Sequence, residues 1–362
     1  MDSRETILSI ITPTKDPDPV HFAATASAVL DAMQSDWEWL IVVHNSAPGT
    51  LERIRMLTGE RPEVQIIEKH DSVRSPSSPR NVGLRQAKGR YVYLLDDDDL
   101  PNREFLDIAL ERMERDACDL LIGSAGQTSS SDLLAEMPMG LDFPETDSGF
   151  ILPRNPEQLG KLLVGAGAFL SSRVIRRSLL TEHSIFFDED LPLMEDHVFN
   201  ARCYAHAGRI CVMPGIIAYT YVQHDGSLLQ RVSRENSDPE KTFLEPIRRV
   251  VRTSLENGIS PGAYLWLMMS FAIWVCRNST MSMEDKRRLM AGVQAYLPLM
   301  KPEENVKREK QAGTVEKEIE YEPSNETDRT DGAAAAGRAH RTDAAKCRSG
   351  MPGALYRNCS HL

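Results

Sequence analysis

The chain has 362 residues, of which 41% are hydrophobic, 26% charged and 6% aromatic, a soluble globular composition long enough for one large domain or two ordinary ones. Its 42 Lys and Arg against 53 Asp and Glu leave a net charge of −11, which speaks against a generic nucleic-acid binder because phosphate contact needs a basic face. Cys118, Cys203, Cys211, Cys276, Cys347 and Cys359 form no CxxC pair, which argues against a structural zinc site or a disulfide scaffold and for a reducing, cytoplasmic setting.

Residues 1–6 are polar, and the apolar run 7–11 is too short for the core of a signal peptide. Residues 8–11 read as a first strand ending in Thr12-Pro13-Thr14. Phe22, Ala26, Val29, Leu30 and Met33 then recur at helical spacing. Residues 40–43 read as a second strand, ending at His44-Asn45-Ser46, followed by a helix at 51–57 and a third strand at 64–67. Ser78 reads as an N-cap with Pro79 at N1, and Gly89 as the stop after that helix. A fourth strand at 91–95 runs straight into Asp96-Asp97-Asp98-Asp99. An amphipathic helix over 102–116 and a fifth strand at 120–123 follow.

This alternation predicts an α/β fold, a mostly parallel sheet with helices on both faces. Such sheets bind ligands beyond the carboxyl ends of their strands, so the segments after strands one, two and four are expected on one rim. Residues 124–156 show no period and read as loops. A strand and a basic helix are expected over 165–180, a helix at 196–207, and strands at 210–213 and 217–222. Helices at 240–257, 263–277 and 283–296 read as a C-terminal module. The uncharged stretch 258–276 carries Pro261 and Gly262 near its start and reads as a buried helix, with peripheral membrane contact or a span as alternatives. The expected boundaries are a domain at 1–235, the helical module at 236–300 and a disordered, low-complexity tail at 301–362.

Four consecutive aspartates at a strand end are the sharpest chemical feature. Packed carboxylates raise one another's pKa unless a cation neutralises them, and oxygen-only ligands suit Mg²⁺ or Mn²⁺. The alternative is an acidic loop capping the helix at 102–116, the role assigned to Asp99. Glu195-Asp196 at a helix start fits capping or catalysis, with the helix dipole expected to lower the pKa of Asp196. Arg80-Asn81-Val-Gly83 in the first turns of a helix places an arginine where phosphate oxygens could meet it, or on a helix surface. His224, in Tyr219-Thr-Tyr-Val-Gln-His224-Asp-Gly-Ser227, follows a strand, a common surface position.

Taken in order, Thr12-Pro13-Thr14, Ser78-Pro-Arg-Asn-Val-Gly-Leu-Arg-Gln-Ala-Lys-Gly-Arg-Tyr91, Leu94-Leu-Asp-Asp-Asp-Asp-Leu-Pro101 and Phe187-Asp-Glu…Glu195-Asp196 resemble the family 2 glycosyltransferases of the GT-A fold. The resemblance covers roughly residues 7–228. It implies an inverting transfer of a sugar from a nucleoside-diphosphate sugar to an acceptor hydroxyl, with a saccharide or lipid-linked acceptor in polysaccharide or glycoconjugate synthesis. By resemblance, Asp196 is the general base, with Glu195 beside it. Thr12, Pro13, Thr14, His44, Arg80, Asp96 and Asp97 fall on the nucleotide-sugar side. Asp98, Asp96 and His224 are the residues implied for the Mn²⁺ or Mg²⁺, with Asp98 as its ligand in the motif, and His224 and Ser227 match a segment near the diphosphate. The family commonly carries acids at the end of strand two, where this chain has Val43 and His44, so a guanosine or thymidine nucleotide stays open beside uridine.

Two competing readings are a sugar-phosphate nucleotidyltransferase and a non-catalytic nucleotide-sugar binder. The first normally has a glycine-rich loop after strand one, and residues 13–17 contain no glycine. The set Asp96, Asp98 and Asp196 argues against the second.

Overall fold

The computed structural model describes residues 5–34, 36–129, 133–137, 149–165, 169–223 and 238–299. Strand β1 (Leu8–Thr14) is buried along its whole length and lies between β2 (Trp37–His44) and β4 (Tyr91–Leu94), parallel to both. β3 (Val64–Lys69) extends the parallel set beyond β2. Strands this apolar need cover on both faces. Ile10, Ile41 and Tyr93 pack in one core with Phe22 of α1 (Pro19–Ala32), Ile54 of α2 (Thr50–Thr58) and Phe105 of α4 (Arg103–Arg115). Ile11, Leu40, Val92 and Leu94 pack in the other with Leu84 of α3 (Ser77–Gln86).

The chain steps outward from β1 to β3, then returns to the other side of β1 as β4. The carboxyl ends of β1 and β4 therefore flank the point where the strand order reverses, the place where open sheets of this kind hold ligands. The other half is mixed. β9 (Arg173–Arg176) runs antiparallel between β4 and β6 (Leu120–Ser129), and β10 (Ile210–Gln223) runs parallel to β6. β5 (Leu100–Pro101), directly after the aspartates, pairs antiparallel with β10 at the far edge. The expected parallel sheet thus holds for β3-β2-β1-β4 and gives way to a mixed sheet beyond β4.

Several local expectations are corrected. The stretch read as loops carries the second half of β6, then β7 (Leu133–Met137) on β6 and β8 (Phe150–Ile151) on β10. Small residues there erase the period; a Cβ on Gly126 would stand 3.1 Å from Ile217 Cγ2. Residues 210–213 and 217–222 belong to one strand, β10, irregular between Met213 and Ile217. Helix α5 (Pro156–Gly165) precedes β9, and the basic helix is the short α6 (Arg177–Glu182). Ser78 lies inside α3 and donates its hydroxyl to Asp71 instead of capping the helix. Gly89 is not the helix stop, since Ala87 is the C-cap. It is where the chain squeezes past β1, with a Cβ there 2.5 Å from Ser9 N.

α7 (Glu195–His206) covers the sheet on the α3 side. After a π-helical turn at Glu240–Leu244 come α8 (Glu245–Glu256), α9 (Gly262–Asn278) and α10 (Met283–Gln294). Val250, Tyr264, Met269 and Leu289 from these helices share one core with Val198 of α7 and Leu94 of β4. Among the described residues no helix is long and apolar enough to cross a membrane. The expected tail, His224 and Ser227 lie outside the described residues.

Candidate active site

Asp16, in the left-handed region at φ 47°, ties the first two loops of the rim together. Its carboxylate accepts from Ala47 N at 2.7 Å and from Thr50 Oγ1 at 3.0 Å. Of the strand-one residues, Thr14 reaches the acidic run, its hydroxyl donating to Asp97. Thr12 is fully buried below the rim, where its Oγ1 accepts from Trp39 Nε1 at 2.9 Å, and Pro13 is buried beside it in β1.

His44 closes β2 and contacts a residue the sequence reading missed: its Nε2 lies 2.8 Å from Asp71 Oδ1. Asp71 also accepts from Val73 N at 2.8 Å and from Ser78 Oγ. Burial opposes ionisation there, but the Ser78 and His44 hydrogen bonds outweigh it and hold Asp71 well below the usual carboxylate range. An acid therefore does stand beside the end of β2, delivered by the β3–α3 loop and already engaged in bracing it. The signal in the sequence was an Asp seven residues before a serine at a helix start, too loose to single out.

The four aspartates separate in role. Asp96 is partly open, its side chain 43% exposed. Asp97 is pushed up to about 7, by burial first and then by the charge of Asp98. Asp99 is buried and accepts from Val222 N of β10 at 3.4 Å. It does not cap α4; Asn102 does, accepting from Phe105 N at 3.3 Å.

Arg80 joins this run to the second acidic segment. α3 lies very close to β1, because a Cβ on Gly83 would stand 2.3 Å from Ile11 Cγ2. One turn earlier Arg80 is carried under the rim and buried. Its Nη2 donates to Asp96 Oδ1 at 2.6 Å and its Nη1 to Glu195 Oε1 at 2.8 Å. Burial disfavours the guanidinium charge, but Asp96 and Glu195 more than offset that and raise the Arg80 pKa. The Phe187 ring lies 5.3 Å from its Cζ. Neighbouring Asn81 grips the Phe187 backbone, donating to its carbonyl and accepting from its N–H, both at 2.9 Å.

Met194, at φ 61°, takes the left-handed conformation that turns the chain into α7. Glu195 and Asp196 occupy the first turn, with Asp196 Oδ1 accepting from His197 N at 2.8 Å. Burial raises both carboxyls: Glu195 to about 7, reinforced by the charge of Asp196, and Asp196 to about 6, against the pull of Arg80. The expected lowering by the helix dipole is overridden by desolvation. A carboxylate with a pKa near neutrality is a competent proton acceptor.

The donor chemistry suits a hard divalent cation supplied with further ligands. Among the described residues no three His, Cys, Asp or Glu side chains converge to hold a metal by themselves. Asp96 and Asp98 offer oxygen ligands only, and Mg²⁺-type ions are commonly held by one or two carboxylates plus substrate phosphates. The residues fit an ion shared with a phosphate-bearing ligand.

Residues 9–183 match the family described as Glycosyl transferase family 2. The chain is 24% identical over 247 residues to the poly(ribitol-phosphate) beta-N-acetylglucosaminyltransferase TarS of Staphylococcus aureus, a match covering 67% of this chain and 39% of that protein. It is 23% identical over 211 residues to the UDP-Glc:alpha-D-GlcNAc-diphosphoundecaprenol beta-1,3-glucosyltransferase WfgD of Escherichia coli, covering 57% of this chain and 75% of that one. The chain thus spans about two fifths of TarS, and 37% of the poly(ribitol-phosphate) beta-glucosyltransferase of Bacillus spizizenii. The crystal structure of S. aureus TarS 1-349 in complex with UDP-GlcNAc superposes with a TM-score of 0.63 at 19% identity, covering 90% of this chain and 95% of that one. The fold is GT-A.

Proposed function

Because residues 9–183 are a family 2 glycosyl transferase domain, we propose that this chain transfers a sugar from a nucleoside diphosphate to an acceptor hydroxyl with inversion, assisted by Mn²⁺ or Mg²⁺. The observation that carries the reading is Arg80, which draws Asp96 and Glu195 to one guanidinium and so puts the two acidic segments in one site.

In this proposal the residues take the following roles. Asp196 takes the proton of the acceptor hydroxyl as it attacks the anomeric carbon from the face opposite the diphosphate. No covalent enzyme intermediate is required. Arg80 holds Glu195 in place beside that base. A divalent ion held by Asp96 and Asp98 would neutralise charge on the departing diphosphate. Thr14 fixes the acidic run through Asp97, and the Asp71 brace fixes His44 at the neighbouring loop. The relatives named for UDP-sugars support a uridine donor, and those named for poly(ribitol-phosphate) and a diphosphoundecaprenol-linked sugar support a polymer or lipid-linked acceptor in polysaccharide synthesis.

The test is a thermal-shift screen of UDP, GDP and dTDP with Mn²⁺, followed by UDP-GlcNAc consumption. A ligand that binds the native state raises apparent stability by RT ln(1 + [L]/Kd). UDP with Mn²⁺ should raise Tm, and UDP-GlcNAc should be consumed. Stabilisation without turnover of any donor would favour the non-catalytic binder.

A further inference from the structure

Building on the glycosyl-transfer reading, we propose that Arg249 of α8 is a positioning residue: it holds the segment 187–194 that presents Glu195 and Asp196, so the C-terminal helices take part in the reaction.

The segment has little structure of its own, a turn from Leu191 N to Asp188 O at 3.3 Å being its main internal backbone bond. It is held from two sides by three consecutive acids that alternate in direction. Glu189 turns toward α3, accepting from Asn81 Nδ2 at 2.9 Å. Asp188 and Asp190 turn toward α8. Arg249 Nη1 donates to Asp188 Oδ2 at 2.7 Å, and its two terminal nitrogens take both Asp190 oxygens, at 2.9 and 2.6 Å. Glu245, one turn earlier on α8, accepts from Arg249 Nε at 2.9 Å and fixes the guanidinium plane. Arg202 of α7 completes the clamp, bonding both Asp188 oxygens at 2.7 and 2.9 Å and the Phe186 carbonyl at 3.0 Å.

Such a network differs from an isolated surface pair. Asp188 and Arg249 are 16% and 21% exposed, so screening by solvent is reduced. Each guanidinium is bidentate, which constrains direction as well as distance. The clamp ends four residues before the left-handed Met194, where the chain must turn for the two carboxyls to enter the site. A small misplacement of a catalytic group from a distant change can cost about 10²-fold in rate. α8 is thereby joined to the proton acceptor through charge, in addition to the apolar core it shares with α7.

The experiment uses the full chain and the variants Arg249→Met, Arg249→Lys and Asp190→Asn. Hydrogen exchange is followed at 187–194 and in β1, β2 and β4, beside kcat and KM for UDP-GlcNAc with Mn²⁺. Arg249→Met should speed exchange at 187–194 about tenfold with the three strands unchanged, and lower kcat about 10- to 100-fold with KM within about twofold. Arg249→Lys should recover part of both effects, and Asp190→Asn should add little on top of Arg249→Met, because the two act through one contact. Unchanged exchange at 187–194, unchanged kcat despite faster exchange, or loss of protection spread through the strands would each overturn the proposal. If no donor is turned over by any form, the glycosyl-transfer reading fails, and the exchange pattern still decides whether Arg249 holds the segment.

Discussion

Arg80 and Glu195 lie 115 positions apart in the chain and 2.8 Å apart in space, and the same guanidinium reaches Asp96 at 2.6 Å. One cation thus serves two carboxylates from segments that the sequence keeps far apart. Removing one partner of a buried ion pair leaves the other uncompensated, at a cost of about 3–5 kcal/mol. Arg80→Met should therefore lower stability by that order and abolish turnover, measured by urea denaturation and a donor assay. Arg80→Lys keeps the charge but offers no fork, so it should fold better than Arg80→Met and still turn over poorly.

Asp196→Asn preserves shape and removes the proton acceptor. It should lower kcat by about 10²–10⁴-fold, with donor affinity, read by calorimetry, nearly unchanged. Glu195→Gln should cost less, because its neutral amide oxygen can still accept from Arg80. Normal turnover by Asp196→Asn would show that the base lies elsewhere.

The raised pKa values set a pH profile. Glu195 at about 7 and Asp196 at about 6 are tightly coupled, so the limb belongs to the pair, and kcat should fall as pH drops through 7 to 6. Stability runs the other way. A carboxyl whose folded pKa exceeds its unfolded value binds protons more tightly when folded, so its contribution is present at low pH and lost as pH rises through the folded pKa. Asp196→Asn should consequently raise Tm at pH 8 relative to the parent, with the advantage shrinking as pH falls below about 6 and gone below about pH 4, the unfolded carboxylate range. A Tm difference independent of pH would mean that Asp196 titrates like an exposed acid.

Asp98→Ala should abolish the Mn²⁺-dependent stabilisation by UDP while leaving the Tm of the unliganded protein close to that of the parent. Asp99→Asn should be milder, since an amide oxygen can still accept from Val222 N and burial already disfavours a charge at Asp99. Full activity of metal-stripped protein in excess EDTA would sink the metal assignment.

Gly83→Ala tests how the site is seated. Its Cβ would stand 2.3 Å from Ile11 Cγ2, a core strand atom with little room to move. Overpacking of this kind typically costs about 1–3 kcal/mol. The displaced α3 should also shift Arg80, so kcat should fall by more than the Tm change alone explains. An unaltered Tm would show that α3 and β1 can part without penalty.

The first half of the chain was legible because its strands are continuous apolar runs and its acids follow one of them directly. The second half of β6 was not legible: Ser124, Ala125 and Gly126 give no alternation, and the ladders with β10 and β7 make this stretch a strand. The site's residue types were visible, its couplings were not. Asp99 looked like a cap because it precedes α4, yet Asn102 stands nearer the helix and takes the N–H. The direction of the Asp196 pKa was misjudged because the sequence shows the helix end and hides the burial. Arg249 carried no signal at all, being one arginine among several on an amphipathic helix until its partners on 188 and 190 are placed in space.

The position of β5 also limits how this chain can change. β4 stands near the middle of the strand order and β5 at its end, so the aspartates form a tether between two strands that are not neighbours. Its far end is fastened twice, by β5 to Tyr219 and Thr220 and by Asn102 N to Ala218 O at 3.0 Å. Shortening the run by one residue would pull β5 out of register with β10, while exchanging one aspartate for another side chain would leave the tether its length. Lineages carrying this architecture should therefore vary the acids by substitution far more readily than by deletion.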